Sequence, residues 1–109
     1  MFDMFNFLNM TYNYEERKVD RYEEGNLTID TCLITDDDEY NYETAIKHPF
    51  YNNGNWVIVE QYYTKEEAQN GHNKWVETFK NGLPQTLPYK TAGNFAKAFL
   101  EEQTIIRNS

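Results

Sequence analysis

Trp56-Val57-Ile58-Val59-Glu60-Gln61-Tyr62-Tyr63-Thr64-Lys65-Glu66-Glu67 carries the change of period on which the fold turns. Before Thr64 the pattern has the two-residue period of strands; after it, the 3.6-residue period of a helix. Thr64 to Glu67 reads as a capping box, the threonine oxygen accepting from the Glu67 amide while the Glu67 side chain reaches back to the Thr64 amide. The helix it opens has an apolar stripe of Ala68, His72, Trp75, Val76 and Phe79, and Asn81-Gly82 stops it before Leu83-Pro84. That stripe is expected to pack on a sheet.

Working backwards from Tyr63, β-forming residues accumulate from Glu16, broken by turn signals at Gly25-Asn26, the acidic run Asp36-Asp37-Asp38-Glu39, and Asn53-Gly54. Four strands are expected, over residues 16–23, 27–35, 41–47 and 55–63. In the second, Leu27, Ile29 and Leu33 share a face, with Cys32 and Ile34 on the other. Short connections make the sheet an antiparallel meander. Trp56-Val57-Ile58-Val59, apolar on both faces, predicts a central strand or a sheet covered on both sides. The fold class is therefore α+β, with the capped helix on one face and the terminal segments on the other.

Outside this centre the pattern is weaker. Residues 1–12 place Met1, Met4, Phe5, Leu8 and Tyr12 at helical spacing, but Phe2, Phe7 and Met10 make the other face apolar too, so helix and strand both remain open. Residues 83–90 contain Pro84 and Pro88 and read as a connector. Thr91 then offers a cap for a C-terminal helix over residues 91–109 with Ala92, Phe95, Ala96, Phe99 and Leu100 inward. No repeat divides the 109 residues, a length suited to one domain.

Charge is distributed unevenly. Residues 1–46 hold twelve acids against Arg17, Lys18 and Arg21, a balance of −9, whereas residues 47–109 hold six acids against seven bases, a balance of +1. The net −8 thus belongs to the first half, and six of the nine tyrosines lie by residue 51. Hydrophobic residues are 39% of the chain but aromatics are 17%, which argues for a core of few, large side chains rather than disorder. An acidic chain without a basic stripe is a poor ligand for nucleic acid or an anionic membrane. The apolar N-terminal stretch lacks the basic residues that open a signal peptide and is too short to cross a bilayer. One cysteine, Cys32, makes no internal disulfide, so a reducing cytoplasm is the expected setting.

Three constellations invite chemistry. The acidic run fails as an EF-hand: counted from Asp36, its sixth and twelfth positions are Asn41 and Lys47, where glycine and glutamate are needed. Cys32, His48 and His72 lack the close ligand pairs of a zinc site, and Cys32 lies mid-strand rather than at a helix N-terminus that would stabilise a thiolate. Cys32 reads instead as a buried structural residue, His72 as a packed one, and His48-Pro49 as exposed before a turn. Gly54 and Gly71 form no phosphate loop. No cofactor and no metal is expected. What remains is a partner-binding face of Asp36, Asp37, Asp38, Glu39, Tyr40, Tyr42 and Glu43, where aromatic area beside carboxylates suits an arginine-rich surface.

Four stretches, Asp30-Thr31-Cys32, Tyr42-Glu43-Thr44-Ala45-Ile46-Lys47-His48-Pro49, Tyr51 to Glu60, and Thr64 to Val76, together resemble a group of small uncharacterised proteins encoded by phages and prophages of Gram-positive bacteria. The resemblance spans about residues 13–76. It brings no assigned activity; it implies a phage accessory protein in the bacterial cytoplasm, a setting in which small acidic proteins often inhibit host defence or nucleic-acid-handling machinery, some as mimics of DNA charge. The leading expectation is a non-enzymatic inhibitor that engages a basic host protein. Its rivals are a nucleotide-binding sponge, with Lys47, Lys65 and Lys74 or a helix N-terminus to meet phosphate, and an oligomeric assembly protein joined through the N-terminal apolar segment.

Overall fold

The structure is a computed structural model that describes residues 14–34, 41–90 and 103–108. A single helical turn, α1 (Tyr14–Arg17), leads into strands β1 (Lys18–Glu24), β2 (Leu27–Leu33), β3 (Tyr42–Lys47) and β4 (Val57–Tyr62). Helix α2 (Lys65–Lys80) follows, then β5 (Thr86–Tyr89) and β6 (Gln103–Ile106). The first four strands form one antiparallel sheet in the order β1-β2-β3-β4, and the last two form a separate antiparallel pair. The expected meander is present, each strand within two residues of its expected bounds. The expectations for residues 1–12, 36–40 and 91–102 lie outside the described residues.

Local chemistry accounts for the punctuation. Gly25, at φ 61, supplies the positive φ that the two-residue β1–β2 turn needs at its first central position. The β3–β4 connection is longer than a tight Asn-Gly hairpin: a 3-10 turn spans Asn52–Gly54, with Asn52 and Asn53 left-handed, a conformation asparagine tolerates. The capping box forms as its residues dictate, Glu67 N donating to Thr64 Oγ1 at 3.1 Å while Glu67 Oε1 accepts from the Thr64 amide at 3.3 Å.

The main core lies between the sheet and α2. Leu27, Ile29, Ile46, Tyr51, Val57, Val59, Phe79 and Leu87 are buried together, with Trp75 and Val76 of the helix stripe packed against them. Each such fully buried side chain contributes on the order of 1.5–3 kcal/mol of transfer free energy. A smaller cluster, Cys32 and Ala45 with Ile34, Trp56 and Ile58, occupies the opposite face. The second face also carries Asp30, whose Oδ2 accepts from Arg21 Nη1 at 2.7 Å.

Two expectations are corrected. Of the two readings of the apolar run, the central strand fails, since β4 is the last of the four, whereas apolar neighbours on both faces are present, with β5 alongside, where Lys90 N donates to Ile58 O at 2.8 Å. Residues 83–90 are not only a connector, and 103–106 are not helical: Thr86–Tyr89 pairs with Gln103–Ile106, carrying Leu87 into the core. Pro88 is tolerated because, among the described residues, β5 forms a ladder with β6 alone, so its missing N–H interrupts no second ladder. Tyr51, fully buried, ties the β3–β4 connection to this region by donating to the Pro84 carbonyl.

Candidate functional site

The partner-binding residues singled out from sequence fall in two groups. Asp36, Asp37, Asp38, Glu39 and Tyr40 lie outside the described residues. The strand ends that flank them are joined, Ile34 N donating to Asn41 O at 2.6 Å and Asn41 N to Tyr62 O at 3.1 Å. Tyr42 and Glu43 open β3, where successive side chains leave opposite faces of the sheet. Tyr42 therefore shares the helix-facing side with Thr44, and Glu43, 7% exposed, shares the other with Cys32.

The bases of the acidic half are engaged internally. Arg21 bonds Asp30 and Glu23, Arg17 donates to the Ile34 carbonyl, and Lys18 pairs with Glu15. Glu15, Glu16, Glu23 and Glu24 remain exposed along α1, β1 and its turn.

Cys32 is fully buried, and burial, reinforced by Asp30 and Glu43, pushes its thiol well above the ordinary range. It faces away from His72, which projects from α2 onto the other face of the sheet, so the two form no nucleophile–base pair. His48 is half-buried; its Nδ1 accepts from the Phe50 amide at 3.1 Å, and burial lowers its pKa. Among the described residues no three histidine, cysteine or carboxylate side chains converge as a metal site. No helix among them is long and apolar enough to cross a membrane.

Sequence reasoning missed a chain of polar side chains that crosses the sheet beneath α2. Tyr62 OH donates to Glu60 Oε1 at 3.3 Å, and Thr44 Oγ1 lies 2.9 Å from Tyr62 OH. Thr31 Oγ1 is 2.5 Å from Thr44 Oγ1, and His72 Nδ1 is 2.7 Å from Thr31 Oγ1. All four interior members, His72, Thr31, Thr44 and Tyr62, are buried. Each hydroxyl has one proton, so the acceptor at one end sets the direction of the chain. Desolvation alone would raise the Glu60 carboxyl, but hydrogen bonds from Lys74 Nζ at 2.8 Å, Trp75 Nε1 at 2.9 Å and Tyr62 outweigh it and hold Glu60 ionised. Tyr62 then donates to Glu60, Thr44 to Tyr62, Thr31 to Thr44, and His72 Nδ1 to Thr31. That leaves His72 Nε2 as a lone pair.

The β3–β4 bulge makes this possible. Thr44 pairs with Glu60 and Ala45 with Ile58, so Val59 is an extra residue that turns Glu60 onto the helix-facing side. A trace of the chain was present in sequence: Thr31 follows Leu27 and Ile29 on one face, and His72 interrupts an apolar stripe, and a polar residue on a core-facing position needs a partner.

The histidine end opens into a cleft of about 270 Å³ between β1 and α2, lined by Asp20, Tyr22, His72, Asn73, Val76 and Glu77 and by Arg21. Asp20 Oδ1 accepts from the Arg21 amide at 2.8 Å and Oδ2 from Gln69 Nε2 at 3.0 Å. Partial desolvation would raise its pKa, but these bonds, with His72 and Lys18 nearby, lower it overall. No protein-family profile, curated protein or solved structure matches the chain.

Proposed function

We propose that this chain is a non-enzymatic acidic binding protein that blocks a basic host protein, of the kind encoded by phages against host defence or nucleic-acid-handling machinery, in the bacterial cytoplasm. The observation that carries this reading is the uncompensated charge of the first half. Its bases Arg17, Lys18 and Arg21 are engaged within the fold, the last two with Glu15, Glu23 and Asp30, while Glu16 and Glu24 are exposed without a base among the described residues, and Asp36, Asp37, Asp38, Glu39 and Tyr40 add four acids and an aromatic to the same half. Such a surface accelerates association with a positively charged partner and disfavours acidic ones. The buried, proton-holding Cys32 and the internally bonded Thr31, Thr44 and Tyr62 favour binding over nucleophilic chemistry.

The test is capture from a bacterial lysate with the purified protein, at low and at high salt, with identification of what is retained. The reading expects a basic protein, held at low salt and released as salt rises. Capture of acidic partners only, or a partner indifferent to salt, would overturn it.

A further inference from the structure

We infer that the cleft between β1 and α2 is a receptor for one arginine side chain of the bound partner, its guanidinium bridging Asp20 Oδ2 and His72 Nε2. The inference rests on the acidic-binding reading and adds to it a specific anchor away from the acidic run.

Two independent observations meet here. His72 is 2% exposed, yet its Nε2 makes no hydrogen bond among the described residues, and Asp20 Oδ2 stands 3.9 Å from it. The direction of the buried chain makes Nε2 an acceptor, and the Asp20 carboxylate is an acceptor as well. Two acceptors facing one gap call for a species with two donors. The second observation is the cleft itself, which opens directly onto that gap.

The chemistry of the walls selects the donor. Asp20 and Glu77 bring two carboxylates, while the guanidinium of Arg21, which also lines the cleft, is engaged by Asp30 and Glu23; Lys80 lies over the Tyr22 ring at 5.7 Å from its centroid. The occupant is therefore cationic. A metal ion is a poor match, since among the described residues no third ligand converges. A planar guanidinium presents several N–H donors in a fixed fork and reaches separate acceptors at once, whereas an ammonium is a single, strongly hydrated point. Val76 and the edge of Tyr22 supply apolar wall for the methylene stem. The volume, about 270 Å³, falls below the usual range for drug-sized ligands and suits one side chain. Asp20 is held for the role, its two oxygens oriented by the Arg21 amide and by Gln69, which is itself fixed to Asn73 Oδ1 at 3.0 Å.

The experiment is a titration at pH 7.5 of isotopically labelled protein with three short Gly/Ser peptides, carrying one arginine, one lysine or one citrulline. The readouts are the His72 ring nitrogens and the amides of Asp20 and Asn73. The arginine peptide is expected to shift all of them saturably, the lysine peptide more weakly, and the neutral citrulline peptide not at all. Asp20→Asn is expected to weaken arginine binding about ten-fold or more, Glu77→Gln to weaken it about two-fold, and Glu16→Gln, an exposed α1 residue outside the cleft lining, to leave it unchanged. The two cleft variants guard against a folding defect in either. No saturable shift with arginine, equal binding of citrulline, or equal affinity in both cleft variants would overturn the assignment. Since the probes are defined peptides, that result would remove the cleft alone; the acidic-surface reading is decided separately by lysate capture and its salt dependence.

Discussion

Gly71 of α2 lies against the ring of Tyr62 so closely that a Cβ added to it would overlap the Tyr62 hydroxyl and ring carbons. In an open helix interior, Gly→Ala gains about 0.5–1 kcal/mol. Here the methyl meets a buried ring whose hydroxyl is bonded to Thr44 and Glu60. Gly71→Ala is therefore expected to destabilise the fold by about 1–3 kcal/mol, the cost of overpacking. Denaturant unfolding checks this, and adding Tyr62→Ala should make the pair less damaging than the sum of the two single changes. A more stable Gly71→Ala would show that propensity, not contact with Tyr62, governs the position.

His72 predicts the pH response. Burial lowers its pKa below the ordinary 6.5, with Asp20 opposing. The folded state therefore prefers the neutral ring, and between its lowered value and 6.5 the unfolded chain binds more protons. By linkage, the His72 contribution is fully present above pH 6.5 and is lost as pH falls through that window. His48 shifts in the same direction and adds to the slope. The lowered carboxyls of Asp20 and Glu60 weaken the fold only at lower pH, below their ordinary 3.8 and 4.5. Melting temperatures from pH 7.5 to 5 should fall for the wild type and fall less for His72→Gln. An unchanged slope in the variant would place the titration on His48 alone.

Glu60 shows where legibility in the sequence ends. The four strands and the helix could be read because each rests on a local period or a local cap: Leu27 and Ile29 alternate, and Thr64 needs only Glu67 to start α2. The bulge at Val59 leaves no local mark, yet it turns Glu60 beneath the helix and completes the chain from His72. The β5–β6 pair is long-range, joining Thr86–Tyr89 to residues more than ten positions away, and the prolines at 84 and 88 gave only a turn signal. Asp20 belonged to a charged stretch that reads as solvated face; its place in the cleft depends on Gln69 and His72, far along the chain.

The Glu60 carboxylate also sorts the helix residues above it. Trp75 packs on the core and donates Nε1 to Glu60 Oε1, whereas Lys74, 58% exposed at its side chain, donates to the same oxygen and lies over the Trp75 ring. Trp75→Ala is expected to cost about 3–5 kcal/mol, since it removes a large packed side chain. Trp75→Phe keeps most of the ring and loses one hydrogen bond to a carboxylate that retains Lys74, about 1–2 kcal/mol. Lys74→Ala removes an exposed pair and should cost under about 1 kcal/mol. Unfolding free energies for the three variants check the ranking; near-equal losses for Trp75→Ala and Lys74→Ala would contradict the packing assigned to Trp75.

The functional prediction concerns charge acting at a distance. Converting Asp36, Asp37, Asp38 and Glu39 to their amides should leave the described sheet intact, because Ile34 and Asn41 join the flanking strand ends without them and Asn41 is further held by Tyr62. Exposed pairs contribute little singly, but four carboxylates removed together reduce the field that steers a basic partner. Against the protein retained from lysate, the amide variant should associate more slowly and bind more weakly at low salt, with a shallower salt dependence, while its dissociation rate changes less. Glu23→Gln with Glu24→Gln, at the β1–β2 turn, separates a local contact from a general field. If the turn variant weakens association as much per charge removed, the whole acidic half acts as one field; if only the run matters, residues 36–39 are the contact. An unchanged rate and an unchanged salt slope in both variants would remove acidic steering from this protein's function.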